Sequence, residues 1–117
     1  MQRDARYIAD IIEAAELISE FLTSKDQADF DSDKLLHNGV LRLLIVVGEA
    51  VTQLSPGFRD AHPEIPWRPI SNFRHRLVHD YSGIDMRIAW EVAAVHVPAL
   101  HSQLTQILAA EFPEDDN

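Results

Sequence analysis

At 117 residues and 46% hydrophobic, the chain is long enough for one packed domain and too apolar to be disordered throughout. Ten Lys and Arg against nineteen Asp and Glu leave a net charge of -9, so any RNA contact must be local and shaped against a long-range repulsion. The absence of cysteine excludes disulfides, thiolate zinc sites and cysteine nucleophiles, and matches a reducing cytoplasm.

In the first segment, Ile8, Ile11, Ile12, Ala15, Ile18 and Leu22 form one helical stripe, predicting a helix over about Asp4 to Thr23. Asp4, Asp10, Glu13, Glu16 and Glu20 fall mostly off that stripe. "MQRDARYIADIIEAAE" lacks the uninterrupted apolar region of a signal peptide. The longest apolar run, "LLIVV", is far short of the ~20 residues a span needs. The expectation is a soluble, cytoplasmic protein with no membrane contact. The polar stretch "SKDQADFDSD" ends the first helix, and Ser32 or Asp33 can cap the next.

The second helix, about 33–54, is apolar round most of its circumference between Val40 and Val51, which marks it as central. Pro56 and Gly57 stop it, and "AHPEIPWRPI", with three prolines, reads as a rigid extended connector. A third helix runs from Pro66 or Pro69 to Tyr81, with Gly83 beyond it as a left-handed cap. Asp85 caps a fourth helix ending near Val97, and Pro98 opens a fifth with Leu100, Leu104, Ile107 and Leu108 inward. No period-two alternation is long enough for a strand. The sum is an all-α antiparallel bundle of four to five helices, one domain over 1–112 with an acidic tail over 113–117.

Some chemistry is excluded directly. The four glycines stand alone, so no Gly-rich phosphate loop exists. No carboxylate sits three residues before any histidine, which removes the Glu-x-x-His pattern of di-iron bundles. His75 and His79 share a helix face as a metal pair would, but no third ligand is evident, so neither metal nor cofactor is expected. His96 and His101 flank a proline at a helix junction, while His37 and His62 read as surface residues.

Two features remain. Arg42 and Glu49 lie two turns apart on one side of an otherwise apolar helix. Each needs a partner, as a structural ion pair or across a functional cleft, and an arginine of the third helix is one candidate. The second feature is "FRHRLVHDY", Phe73 to Tyr81, in a region where a phosphate could be tolerated: 59–87 holds five arginines and four acids, against three bases and nine acids in 1–33. As a plain amphipathic helix it would bury Phe73, Leu77 and Val78 and leave Arg74, His75, Arg76 and His79 in water.

"RHRLVHDY" resembles the Arg-x-x-x-x-His-x-Tyr signature of the HepT-like toxins of the HEPN superfamily, with Arg74, His79 and Tyr81 at its fixed positions and His75 at a variable polar one. "VLRLLIVVGEA" is similar to that family's second helix, "HPEIPW" to its proline-rich connector, "DYSGIDMRIAWE" to the segment after the motif and "VPAL" to the start of its last helix. The order is preserved along nearly the whole chain. Ser82, where an aromatic residue is commoner, and Pro69, within a helix that tends to run unbroken, depart from the pattern.

The resemblance implies a helical bundle that forms a homodimer or higher even oligomer through the motif helices. It implies metal-independent cleavage of RNA, not DNA. It also implies a minimal nucleotidyltransferase antitoxin that silences the toxin by transferring AMP onto Tyr81. Arg74 and His79 would be catalytic, with His75 and Arg76 in support. Such cleavage needs a base for the 2′-hydroxyl, an acid for the leaving oxygen and positive charge for the phosphorane. Histidine, with an unperturbed pKa of about 6.5, can serve as base or acid, and arginine can hold phosphate oxygens.

Helical geometry complicates this assignment. Five residues separate Arg74 and His79 by about 140° round a regular helix, whereas Arg76 and His79 share a face. Either the helix loosens before Gly83, or Arg74 acts from the other protomer, or Arg76 meets the phosphate. A different class also fits the net charge: a non-catalytic helical subunit that holds nucleotide or substrate for a nucleotidyltransferase.

Overall fold

The computed structural model describes residues 2–113, all-α among these residues. Helix α1 (Gln2–Leu22) buries Ile8, Ile11, Ala15 and Ile18 of the expected stripe and leaves Ile12 and Leu22 partly covered. The first surprise is Asp4, a carboxylate that continues the stripe one turn before Ile8 and is buried with it.

The polar stretch after α1 holds a further short helix, α2 (Gln27–Ser32). Asp26 and Asp29 cap it reciprocally, each carboxylate accepting the other's backbone N–H at 2.9 and 3.1 Å. Phe30, fully buried, pins it to the core against the rings of His37 and Trp90. Composition hid this helix because its stability comes from two caps and one long-range contact.

Helix α3 (Lys34–Gln53) begins at Asp33, whose carboxylate accepts the Leu36 N–H at 3.0 Å. Val40, Leu41, Leu44, Val47, Ala50 and Val51 are buried, and α3 packs on α1 as the central helix. By length and composition α3 could cross a membrane, with a mean hydropathy of 1.4. Counting unbroken apolar runs had missed that, and its place at the centre of the bundle accounts for it.

Pro56, expected only as a stop, opens another helix, α4 (Pro56–Ala61). A missing N–H costs nothing at the first helical position. Ser55 caps α4 by accepting the Phe58 N–H, and its own N–H and hydroxyl donate to buried Asp4 at 2.9 and 2.7 Å. The buried acid therefore joins the start of α1 to the start of α4. His62 follows, with its side chain 12% exposed, and His37 is half-buried with Nδ1 2.8 Å from the Phe30 carbonyl, so neither is the surface residue expected.

Helix α5 (Trp67–His79) starts at Trp67, whose indole N–H reaches the carbonyls of Arg59 and His62. Pro69 falls in the first turn, where backbone donors have no intrahelical partner, so the helix tolerates it. α5 ends two residues earlier than expected, and Tyr81–Gly83 form a single 3-10 turn. Gly83 has no positive φ. Its requirement is space, since a Cβ there would lie 2.6 Å from the Asp80 carboxylate.

Asp85 caps α6 (Met86–Glu91) as expected, accepting the Arg87 N–H at 2.9 Å. The fourth and fifth helices do not separate. Val92–His96 form a wider π turn, in which the Val97 N–H bonds the Val92 carbonyl, and α7 (Val97–Glu111) continues from it. In a regular helix the Pro98 ring would meet the carbonyl four residues back; the wider turn just ahead of it relieves that clash. α7 returns to pack on α1, and His101 Nε2 lies 3.0 Å from Glu16 Oε2 across that seam. α5 packs on α3, and between α5 and α7 a cleft of ≈ 350 Å³ stays open over Leu44 and Val47. Beyond Pro113, the acidic tail lies outside the described residues.

Candidate active site

The site is built where α5 meets α3. Leu77 alone on α5 is buried; Phe73 and Ile70 are partly covered, and Val78, expected inside, is 45% exposed. The helix therefore turns a narrow apolar edge to the core and leaves His75, Arg76 and His79 in solvent.

Arg74 is the exception among the basic residues of α5. Its stem lies against Gly48, where a Cβ would overlap Arg74 Cβ and Cγ. The missing side chain lets α5 approach α3 closely at this point. The Arg74 guanidinium pairs with Glu49, the next residue of α3. Its Nε is buried and has no hydrogen-bond partner among the described residues. Glu49 thus takes its partner from the motif helix, the arrangement held open as one candidate. Arg42 does not join it: it is exposed and forms no ion pair among the described residues.

Tyr81 stands at the other end of the same contact. From the 3-10 turn its hydroxyl donates to Asn38 Oδ1 at 2.5 Å, and the Asn38 amide donates to the Lys34 carbonyl at 2.8 Å. Asn38, Arg42 and Glu49 fall within about 40° of one another on the surface of α3, at 100° per residue. They form a polar stripe on an apolar helix, spanning about 16 Å at 1.5 Å per residue. Its two ends hold Tyr81 and Arg74, and Arg42 lies free between them. Sequence reasoning picked Arg42 and Glu49 from this stripe and passed over Asn38. The signal was present, since Asn38 is the polar residue one turn before Arg42.

His75 and His79 stack along α5 with ring centroids 4.3 Å apart. Among the described residues no group of three or more His, Asp or Glu side chains could hold a metal ion. The helix is regular through His79, so it does not loosen to bring Arg74 and His79 together. Arg74 faces α3, while His79 faces solvent on the side it shares with Arg76. Of the three ways to reconcile the motif with helical geometry, two remain: Arg74 acting with the histidine of a second protomer, or Arg76 meeting the phosphate.

The family model described as "Ribonuclease HepT-like" matches residues 11–107, spanning both helices of the site. The chain belongs to the HepT-like family. A "Probable ribonuclease HepT" of Thermococcus cleftensis is 38% identical to this HepT-like chain over 101 residues, covering 86% of the chain and 92% of the relative. The "Putative RNase TTE0752" of Caldanaerobacter subterraneus subsp. tengcongensis is 33% identical, with 95% and 99% covered. The "Gamma-glutamylcyclotransferase and putative RNase MJ0434" of Methanocaldococcus jannaschii is 33% identical over 92% of the chain but only 49% of its own length. No solved structure gives a significant match. The HepT-like match takes in α3 through α6 and most of α1 and α7, so the contact that carries Arg74, Glu49, Asn38 and Tyr81 lies wholly inside it.

Proposed function

We propose that this member of a ribonuclease family is the toxin of a toxin–antitoxin pair, a cytoplasmic endoribonuclease that cuts RNA without a metal and is silenced by AMP transfer onto Tyr81. The observation that carries the reading is the meeting of α5 with the polar stripe of α3. In a chain of net charge -9, it sets Arg74 on the stripe that carries Arg42, with Arg76 and His79 on the solvent side of the same α5.

The chemistry follows from these side chains. The substrate's 2′-hydroxyl attacks the adjacent phosphorus, the P–O5′ bond breaks, and a 2′,3′-cyclic phosphate and a 5′-hydroxyl remain. One histidine takes the 2′ proton and a second protonates the leaving oxygen, while arginine offsets the charge of the phosphorane. One chain offers one motif histidine, and its Arg74 faces away from it. Two chains meeting through α5 would supply two histidines and two arginines, which is why the proposed active form is a dimer or a higher even oligomer. The antitoxin would be a minimal nucleotidyltransferase. AMP on Tyr81, two residues from His79, would place an anionic group where substrate phosphate must sit and exclude it by charge and bulk.

The test is parallel induction of the wild-type chain and His79→Ala, with growth and total RNA followed in both. Wild type should arrest growth and degrade RNA while the variant, equally helical, does neither. RNA decay that persists in His79→Ala would remove the histidine from the mechanism. If neither chain affects the cell, a non-catalytic subunit that binds nucleotide or substrate becomes the better reading.

A further inference from the structure

We infer that Asn38 is the positioning residue for Tyr81, holding the phenol on α3 through its hydroxyl proton, so that any group placed on that oxygen releases the ring. The regulatory meaning of this latch rests on the modification proposed above; the latch itself does not. Asn38 is not part of the motif and contributes no charge.

The hydrogen-bond directions are fixed by two contacts read together. The Asn38 amide nitrogen donates to the Lys34 carbonyl, one turn back on α3, at 2.8 Å. That bond turns Oδ1 toward Tyr81, so at 2.5 Å the phenol must be the donor. The proton of the hydroxyl is spent on Asn38, and the oxygen keeps its lone pairs for an incoming group. Tyr81 is 40% exposed, so the residue lies at the surface, open to a transferase.

Transfer of AMP would proceed by attack of the phenolic oxygen on the α-phosphorus of a nucleoside triphosphate. The O–P bond forms, the bond from the α-phosphorus to the bridging oxygen breaks, and pyrophosphate leaves with the electron pair. The phenolic proton passes to a base of the transferase or to water. Afterwards the tyrosine oxygen has no hydrogen, and Asn38 Oδ1 faces an acceptor with an acceptor. The amide could present its nitrogen only by surrendering the Lys34 carbonyl. The modified ring therefore leaves α3, and the turn that carries it loosens. That turn is secured by the Gly83 N–H to the Asp80 carbonyl at 3.1 Å and the Ile84 N–H to the Tyr81 carbonyl at 3.4 Å.

Amide exchange of Gly83 and Ile84, measured by NMR on the full chain, tests the latch without any transferase. Asn38→Ala and Tyr81→Phe should each speed exchange about fivefold, the effect of one neutral hydrogen bond. The double variant should be no faster than either single one, because both remove the same bond. O-methyltyrosine at position 81, which keeps the ring and the oxygen but lacks the proton, should match Tyr81→Phe. Unchanged exchange in both single variants, or effects that multiply in the double, would overturn the inference. So would O-methyltyrosine behaving as tyrosine. If a nucleotidyltransferase with nucleoside triphosphate leaves wild-type Tyr81 unmodified while the exchange pattern holds, only the modification reading fails.

Discussion

A methyl group at Gly48 would overlap Arg74 Cβ and Cγ, the base of a side chain rather than a flexible tip. Neither helix can give way locally, so Gly48→Ala must push α5 off α3. Overpacking of this kind costs about 1–3 kcal/mol. A urea midpoint lowered by that free energy divided by the denaturant slope is the expected result; an unchanged midpoint would mean the helices are not in close contact there. At this scale the sequence was informative where residues are unusual in type and mute where their role lies in a partner. The Arg-His-Tyr spacing was legible through its resemblance to a family, and Glu49 stood out as a charge on an apolar helix. Asn38 was marked only by its place one turn before Arg42, and its role shows only when Tyr81, 43 residues later, donates to it.

Among the elements, long helices could be read from the sequence because twenty residues repeat the apolar stripe several times over. α2 and α4 could not, since each has six residues and depends on side chains brought from elsewhere: Phe30 against Trp90, and Ser55 against Asp4. Pro98 misled in the opposite sense, because a π turn carries the chain past it. The start of α6 offers a test with a definite sign. The Arg87 side chain, hydrogen-bonded to Asp85, and the Arg87 backbone N–H hold the Asp85 carboxyl below its ordinary value of 3.8. A carboxylate whose folded value is depressed stabilises the fold above 3.8 and ceases to do so as pH falls through the lower folded value. Wild type should therefore exceed Asp85→Ala in stability at pH 7, and the difference should shrink below pH 3.8. Urea midpoints for the pair across that range would check it. A difference that persisted in strong acid would assign it to packing.

For the whole molecule, the decisive question is whether one site draws on the histidines of two chains, as the proposed dimer requires. Mixing wild-type and His79→Ala chains answers it. If a site needs His79 from both protomers, chains reassembled in equal amounts should keep about a quarter of the RNA cleavage of the same total of wild-type chain, because only the roughly one-quarter of dimers with two wild-type chains hold both. If one histidine suffices for a site, about half remains. The bundle around these residues is unevenly secured. α1 and α3 share a broad seam and α7 closes on α1, whereas α5 packs chiefly on α3, touches α4 through Trp67 at its start, buries Leu77 alone and leaves a gap toward α7. The helix that bears the motif is thus the most weakly tethered of the long ones. Warming the protein would undock α5 before it melts the rest, and the molecule would stop working while still looking folded.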